Sequence, residues 1–120
     1  MESKRVKHLT FFYNLGPAGS ATSGAKAAIQ APFSGTVVEV DIVVQQGANA
    51  LVGICCSHSN TAFLPRAEDT PYLLLNNVYA PFYPNEPVTG GEQITVDMIN
   101  KDSVNSHKVT VVMRLIEGSL

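Results

Sequence analysis

Apolar residues recur at every second position along almost the whole chain, and that rhythm constrains the fold more than any other feature. Ile94, Val96 and Met98 form one such series, and Val109, Val111, Met113 and Leu115 form another. Leu9, Phe11 and Tyr13 alternate with His8, Thr10 and Phe12. A period of two puts one set on one face of an extended strand, whereas a helix needs a period near 3.6. No stretch carries the helical period over any length. Strands with one apolar face must bury it against another layer, and 120 residues suffice for one domain. The expectation is an all-β chain: an antiparallel β-sandwich or jelly roll of about seven or eight strands. A closed barrel is the alternative.

Turn chemistry divides the strands. Pro32-Phe33-Ser34-Gly35 separates a short strand at 27–31 from the strongest one at 36–45. In the latter, Val38, Val40, Ile42 and Val44 are expected inward, with Val37, Glu39, Asp41 and Val43 outward. Further strands are expected at 50–57, 72–75, 93–99 and 107–116. Residues 16–24 are nearly all small and read as a loop or arm. Residues 78–91 hold Pro81, Pro84 and Pro87 with Tyr79, Phe82 and Tyr83, and read as a long loop stiffened for contact. The single domain therefore spans 1–120, with a basic N-terminal end and a small-residue loop at 16–24.

Charge is scarce. Charged residues make up 15% of the chain, against about 25% in ordinary soluble domains. Between Asn14 and Leu64 only Lys26, Glu39 and Asp41 are charged, and none is charged from Thr70 to Asn85. Either the surface is neutral and rich in Ser, Thr and Asn, or much of it faces other protein chains, since interface centres are depleted in charge. A net charge of −2 gives no field for nucleic acid, and no apolar run approaches the ~20 residues of a membrane span. The basic cluster Lys4, Arg5 and Lys7, beside His8, suits an acidic neighbour or plain solvation. No apolar segment follows it, so a secretory signal is not expected.

Catalytic and metal-binding patterns are missing. No G-x-S-x-G, H-E-x-x-H or Walker pattern occurs. Cys56 and His58 share a strand face while Cys55 points away, leaving two ligands where zinc takes three or four. Adjacent cysteines on a strand seldom bond each other, and reduced thiols in an intracellular assembly are expected. Glu39 and Asp41, about 7 Å apart on one face, have the spacing of an inverting glycosidase but no aromatic sugar platform. Glu68, Asp69, Asp97 and Asp102 lack calcium-loop spacing. No cofactor, metal or catalytic residue is expected, and the chain reads as a non-enzyme. Among Phe33, Phe63, Tyr72, Tyr79, Phe82 and Tyr83, the turn-borne aromatics are candidate contacts for a sugar or a protein.

Ile29-Gln-Ala-Pro-Phe-Ser-Gly-Thr-Val37 followed by an alternating strand, and Pro87-Val-Thr-Gly-Gly-Glu-Gln-Ile-Thr-Val-Asp97 later, resemble a pattern of small bacteriophage virion proteins. With the last strand, the similarity loosely covers 29–116. It implies a β-sandwich or jelly-roll module of phage heads and tails, often trimeric, with no catalytic residues to carry over. No stalk or coiled coil accompanies it, which favours a capsid decoration (cement) protein over a fibre. The partners so implied are the major capsid protein and the chain's own copies in a homotrimer. The location would be the capsid surface, after synthesis in the host cytoplasm. The candidate interface is Lys4, Arg5, Lys7, Tyr79, Phe82 and Tyr83. A carbohydrate- or receptor-binding module of a tail fibre or spike, using Tyr79, Phe82 and Tyr83, is the alternative.

Overall fold

A computed structural model of the chain describes residues 4–16, 23–44, 51–65, 72–75 and 79–118. Its described elements are all strands: β1 (Val6–Leu15), β2 (Ser23–Gln30), β3 (Gly35–Val44), β4 (Val52–His58), β5 (Thr61–Leu64), β6 (Leu73–Leu75), β7 (Tyr79–Phe82), β8 (Glu86–Val88), β9 (Gln93–Asn100) and β10 (His107–Glu117). They form two five-stranded antiparallel sheets. The first has the order β1-β10-β3-β7, with β8 also on β3; the second has β2-β9-β4-β5, with β6 also on β4. The alternation expected from the sequence produces this arrangement. Leu9, Phe11 and Leu15, then Val109, Val111, Met113 and Leu115, meet Val52, Ile54, Cys56, Ile94, Val96 and Met98 in one core. The architecture is compatible with the β-sandwich.

Four local expectations are revised. β3 does not keep one phase throughout. Arg114 faces Glu39 while the next residue, Leu115, faces Val37, so Val38 is an extra residue on β3. This bulge switches the inward set to Val37, Val40, Ile42 and Val44, and Val37 rather than Val38 joins the core. Tyr13 shares the phase of Leu9 and Phe11 on β1 yet is 47% exposed. β2 begins at Ser23, so Ser23 and Gly24 belong to a strand, and residues 17–22 of the expected loop lie outside the described residues. Residues 79–82 and 86–88 of the expected proline-rich loop are edge strands, which tolerate proline because their outer N–H groups need no partner.

The two turn motifs that carry the phage resemblance lie against each other. Ala31 N donates to Glu92 O, Gly91 N to Ala31 O, and Gly90 N to Ser34 Oγ at 2.8 Å. Here β2 crosses from the second sheet into β3 of the first, and β8 crosses back into β9. The backbones come too close for side chains. A Cβ on Gly90 would meet Ser34 N at 3.0 Å, and one on Gly35 would meet Ile116 O at 2.2 Å. Beside this corner, at the C-terminal end of β4, Ser59 and Asn60 both take positive φ (46° and 68°), the geometry of a two-residue hairpin.

Gly35→Ala is therefore expected to destabilise the chain by about 2 kcal/mol or more, because the obstructing atom is backbone. Urea unfolding followed by circular dichroism measures it. Loss under about 0.5 kcal/mol, the usual range for a neutral surface change, would contradict the close approach.

Candidate functional site

Consecutive strands of the first sheet line up their outward residues in rows that cross it. One row is Phe12, Thr110, Val43 and Tyr79; the next is Thr10, Val112, Asp41 and Pro81; the third is His8, Arg114 and Glu39. Apart from half-buried Thr110 the first row is apolar and open: Phe12 is 57% exposed, Val43 41% and Tyr79 53%. The third row is charged and largely self-paired, with Arg114 Nη2 at 3.6 Å from Glu39 Oε1. The Tyr79 hydroxyl donates to Asp41 Oδ1 at 3.1 Å and so ties the two rows together. Glu39 and Asp41 thus sit on an open sheet face. A hydrogen bond shared with Asp41, then burial and the Asp41 charge, raise the Glu39 pKa above its ordinary value, against Arg114 and His8.

The basic end lies elsewhere. Arg5 is bound by Glu117: Arg5 N donates to Oε1 at 3.2 Å, Nε to Oε2 at 3.0 Å, and Nη2 makes an ion pair with the same oxygen. Its guanidinium also lies 4.6 Å from the Phe33 ring centre. Lys4 and Lys7 are exposed, and a Cβ on Gly118 would stand 3.8 Å from the Lys4 ammonium. This end sits by β1 and β10, whereas Tyr79, Phe82 and Tyr83 sit on or beside β7 across the sheet. The structure therefore does not gather the expected interface residues into one patch. Phe82 is half-buried and packs on the core opposite Val40, whereas Tyr83 is exposed. Phe33 and Phe63 are core residues.

Histidine chemistry appears where spacing gave no signal. His58 closes β4, and its Nε2 lies 2.6 Å from Glu86 Oε2 while Nδ1 lies 3.0 Å from Glu92 Oε2. Both carboxylates are best satisfied by an imidazolium with two N–H donors. Burial pulls the His58 pKa down, but the hydrogen bonds and charges of Glu92 and Glu86 outweigh it, and the net shift is upward. Glu92 is held down to about 2 by hydrogen bonds from Ser59, His58 and the Thr89 backbone. The Phe63 ring lies tilted against His58, with 5.8 Å between ring centres. The clamp joins β4 of the second sheet to β8 of the first. Its members are 28 and 34 residues apart in sequence, which is why no motif announces it.

A second polar knot closes the β9–β10 connection. Buried Asn100 donates from Nδ2 to Gly16 O and Asn105 O, both at 3.0 Å, and its Oδ1 accepts from Asp102 N. Asp102 accepts from the Val104 and Asn105 backbones and faces His107 Nε2 at 2.9 Å. These bonds hold the Asp102 carboxyl well below its usual range, with the Val104 contact foremost. No group of three His, Cys, Asp or Glu side chains among the described residues is arranged for a metal, and Glu68 and Asp69 lie outside them. Cys55 and Cys56 are free thiols, Cys56 buried, and burial raises both pKa values. Cys55 lies in a cross-strand row with Asp97 and Lys26, beside a depression of about 280 Å³ that those last two line with Tyr72.

The pH dependence follows from the clamp. His58, with a raised folded pKa, contributes stability that is full below its unfolded value near 6.5 and is lost as pH rises through the folded value. Glu92, with a depressed pKa, contributes stability that is full above its unfolded value of about 4.5 and lost as pH falls toward 2. His58→Gln is expected to destabilise most between about pH 4.5 and 6.5, with the gap to the native chain narrowing at higher pH. Thermal unfolding of both chains from pH 4 to 9 checks it, and a gap that widens above pH 7 would refute the imidazolium.

No protein-family model matches the chain, and no curated protein matches it. Among solved structures, a crystal structure of FLHE is similar in fold. It aligns over 95% of this chain and 98% of its own, with a TM-score of 0.52 and 8% sequence identity. At that identity the likeness concerns the fold alone.

Proposed function

We propose that the chain is a non-enzymatic structural protein of a bacteriophage particle, a capsid decoration (cement) protein that bridges neighbouring capsid subunits. The observation that carries the assembly role is the open row Phe12, Val43 and Tyr79 on the outer face of the first sheet. Exposed apolar side chains in one row, interrupted only by Thr110, on a chain so poor in charge favour cover by another protein. Its partner would be the capsid shell, and its mechanism burial of apolar area between neighbours, worth roughly 25 cal/mol per Å² before the costs of association. The viral setting rests on the resemblance of residues 29–37 and 87–97 to small virion proteins.

Purified chain is expected to co-sediment with phage shells stripped of their decoration protein and to raise the temperature at which the shells rupture. Val43→Lys combined with Tyr79→Lys should weaken binding by at least about tenfold, as for loss of an interface centre, while the fold persists. Equal binding by the double variant would remove the row from the interface. Failure of the native chain to bind any shell tested, together with binding on a glycan array, would favour the receptor-binding alternative.

A further inference from the structure

The flanks of the two sheets are unequally protected. β7 and β8 break one flank into short strands, and Pro81 and Pro87 offer no N–H to an incoming strand. β5 and β6 break another, with an irregularity between Cys56 and Ser57. β2 carries exposed Lys26 near its middle. β1 carries exposed Lys7 near its start but none of these devices from His8 to Leu15. It runs from Val6 to Leu15 in unbroken register with β10, contains no proline, and has no strand of its own sheet on its other side among the described residues. Exposed Val6, Phe12 and Tyr13 gather along it.

The direction of its free backbone groups follows from one bond. Glu117 N donates to Arg5 O, so Arg5 faces β10. Strand alternation turns Lys7, Leu9, Phe11 and Tyr13 the same way, and directs the N–H and C=O groups of Val6, His8, Thr10, Phe12 and Asn14 outward. We propose that a second copy of the chain adds its own β1 to this edge, antiparallel, about a two-fold axis at Thr10. Two first sheets then become one continuous sheet.

The edge is complementary to itself in that register. Thr10 faces Thr10 of the second copy, His8 faces Phe12 and Val6 faces Asn14, so all five outward residues find partners. Thr–Thr pairs and pairs with an aromatic are favourable across strands. Between them, Leu9 falls opposite Phe11 and Lys7 opposite Tyr13, which lets the exposed Tyr13 ring cover the lysine stem. No like charges meet, and Arg5 is already held by Glu117. A parallel addition would instead crowd the Lys4, Arg5 and Lys7 ends together. The contact is isologous, as a two-fold requires, and does not depend on the capsid reading.

Light scattering over a concentration series is expected to give twice the chain mass of 12.8 kDa. Thr10→Lys sets two ammonium groups face to face and should return the monomer with unchanged β-sheet circular dichroism, since Thr10 is exposed. In a Cys55→Ser background, Thr10→Cys should cross-link into a covalent dimer under mild oxidation. Directly facing hydrogen-bonded residues have Cα atoms about 5.5 Å apart, within disulfide reach. Thr61→Cys, exposed on β5, should not cross-link. A chain that stays monomeric, a trimer, or Thr10→Cys cross-linking no faster than Thr61→Cys would overturn the proposal. A dimer that binds no shell would overturn the decoration reading alone.

Discussion

Two crossovers between the sheets share one hydrogen-bonded corner, and the rest of the sandwich is arranged around it. Ala31 exchanges backbone bonds with Gly91 and Glu92, and Ser34 accepts from Gly90. These contacts fix where β2 leaves the second sheet and where β9 enters it, so they set the register of the layers. The close approach leaves no room for a Cβ at Gly35 or for an easily accommodated one at Gly90. The His58 clamp fastens the same corner from the side, with Glu86 on β8 and Glu92 just before β9, at the two ends of the same crossover. Polar chemistry is thus concentrated where chain direction changes, while Val, Ile, Leu, Met and Phe fill the space between layers.

The large-scale fold was legible because it depends on period-two burial, which is a local property. Ile94, Val96 and Met98, and the series from Val109 to Leu115, could be placed inward from spacing alone, and the structure places them there. Val37 could not. Its phase is reversed by an extra residue that is defined only by the partner strand, where Arg114 meets Glu39 and Leu115 meets Val37. The prolines of residues 78–91 pointed to a stiffened loop, whereas 79–82 and 86–88 are edge strands, where a proline costs no ladder bond. The polar corner was illegible for a different reason. Glu86 and Glu92 reach His58 through tertiary folding, and single-sequence spacing contains no trace of that contact.

Those internal bonds narrow what is left for the outside. Asp102, Asn100, Glu92 and His58 each have their polar atoms engaged within the chain, and Glu39 and Asp41 are tied to Arg114 and Tyr79 on an open face. Among the described residues, what is offered to a neighbour includes a largely apolar row on one sheet and the outward backbone groups of β1, which no strand of its sheet covers. The first recognises by area and is tolerant of detail. The second recognises by register, because a one-residue slip turns every side chain to the other face. A surface with few charges needs such a device, since steering and rejection of wrong partners otherwise depend on charge. Backbone pairing along β1 would supply specificity, and burial of Phe12, Val43 and Tyr79 would supply area. Because Phe12 belongs to both, copy-to-copy and copy-to-shell contacts on this sheet would be coupled rather than independent.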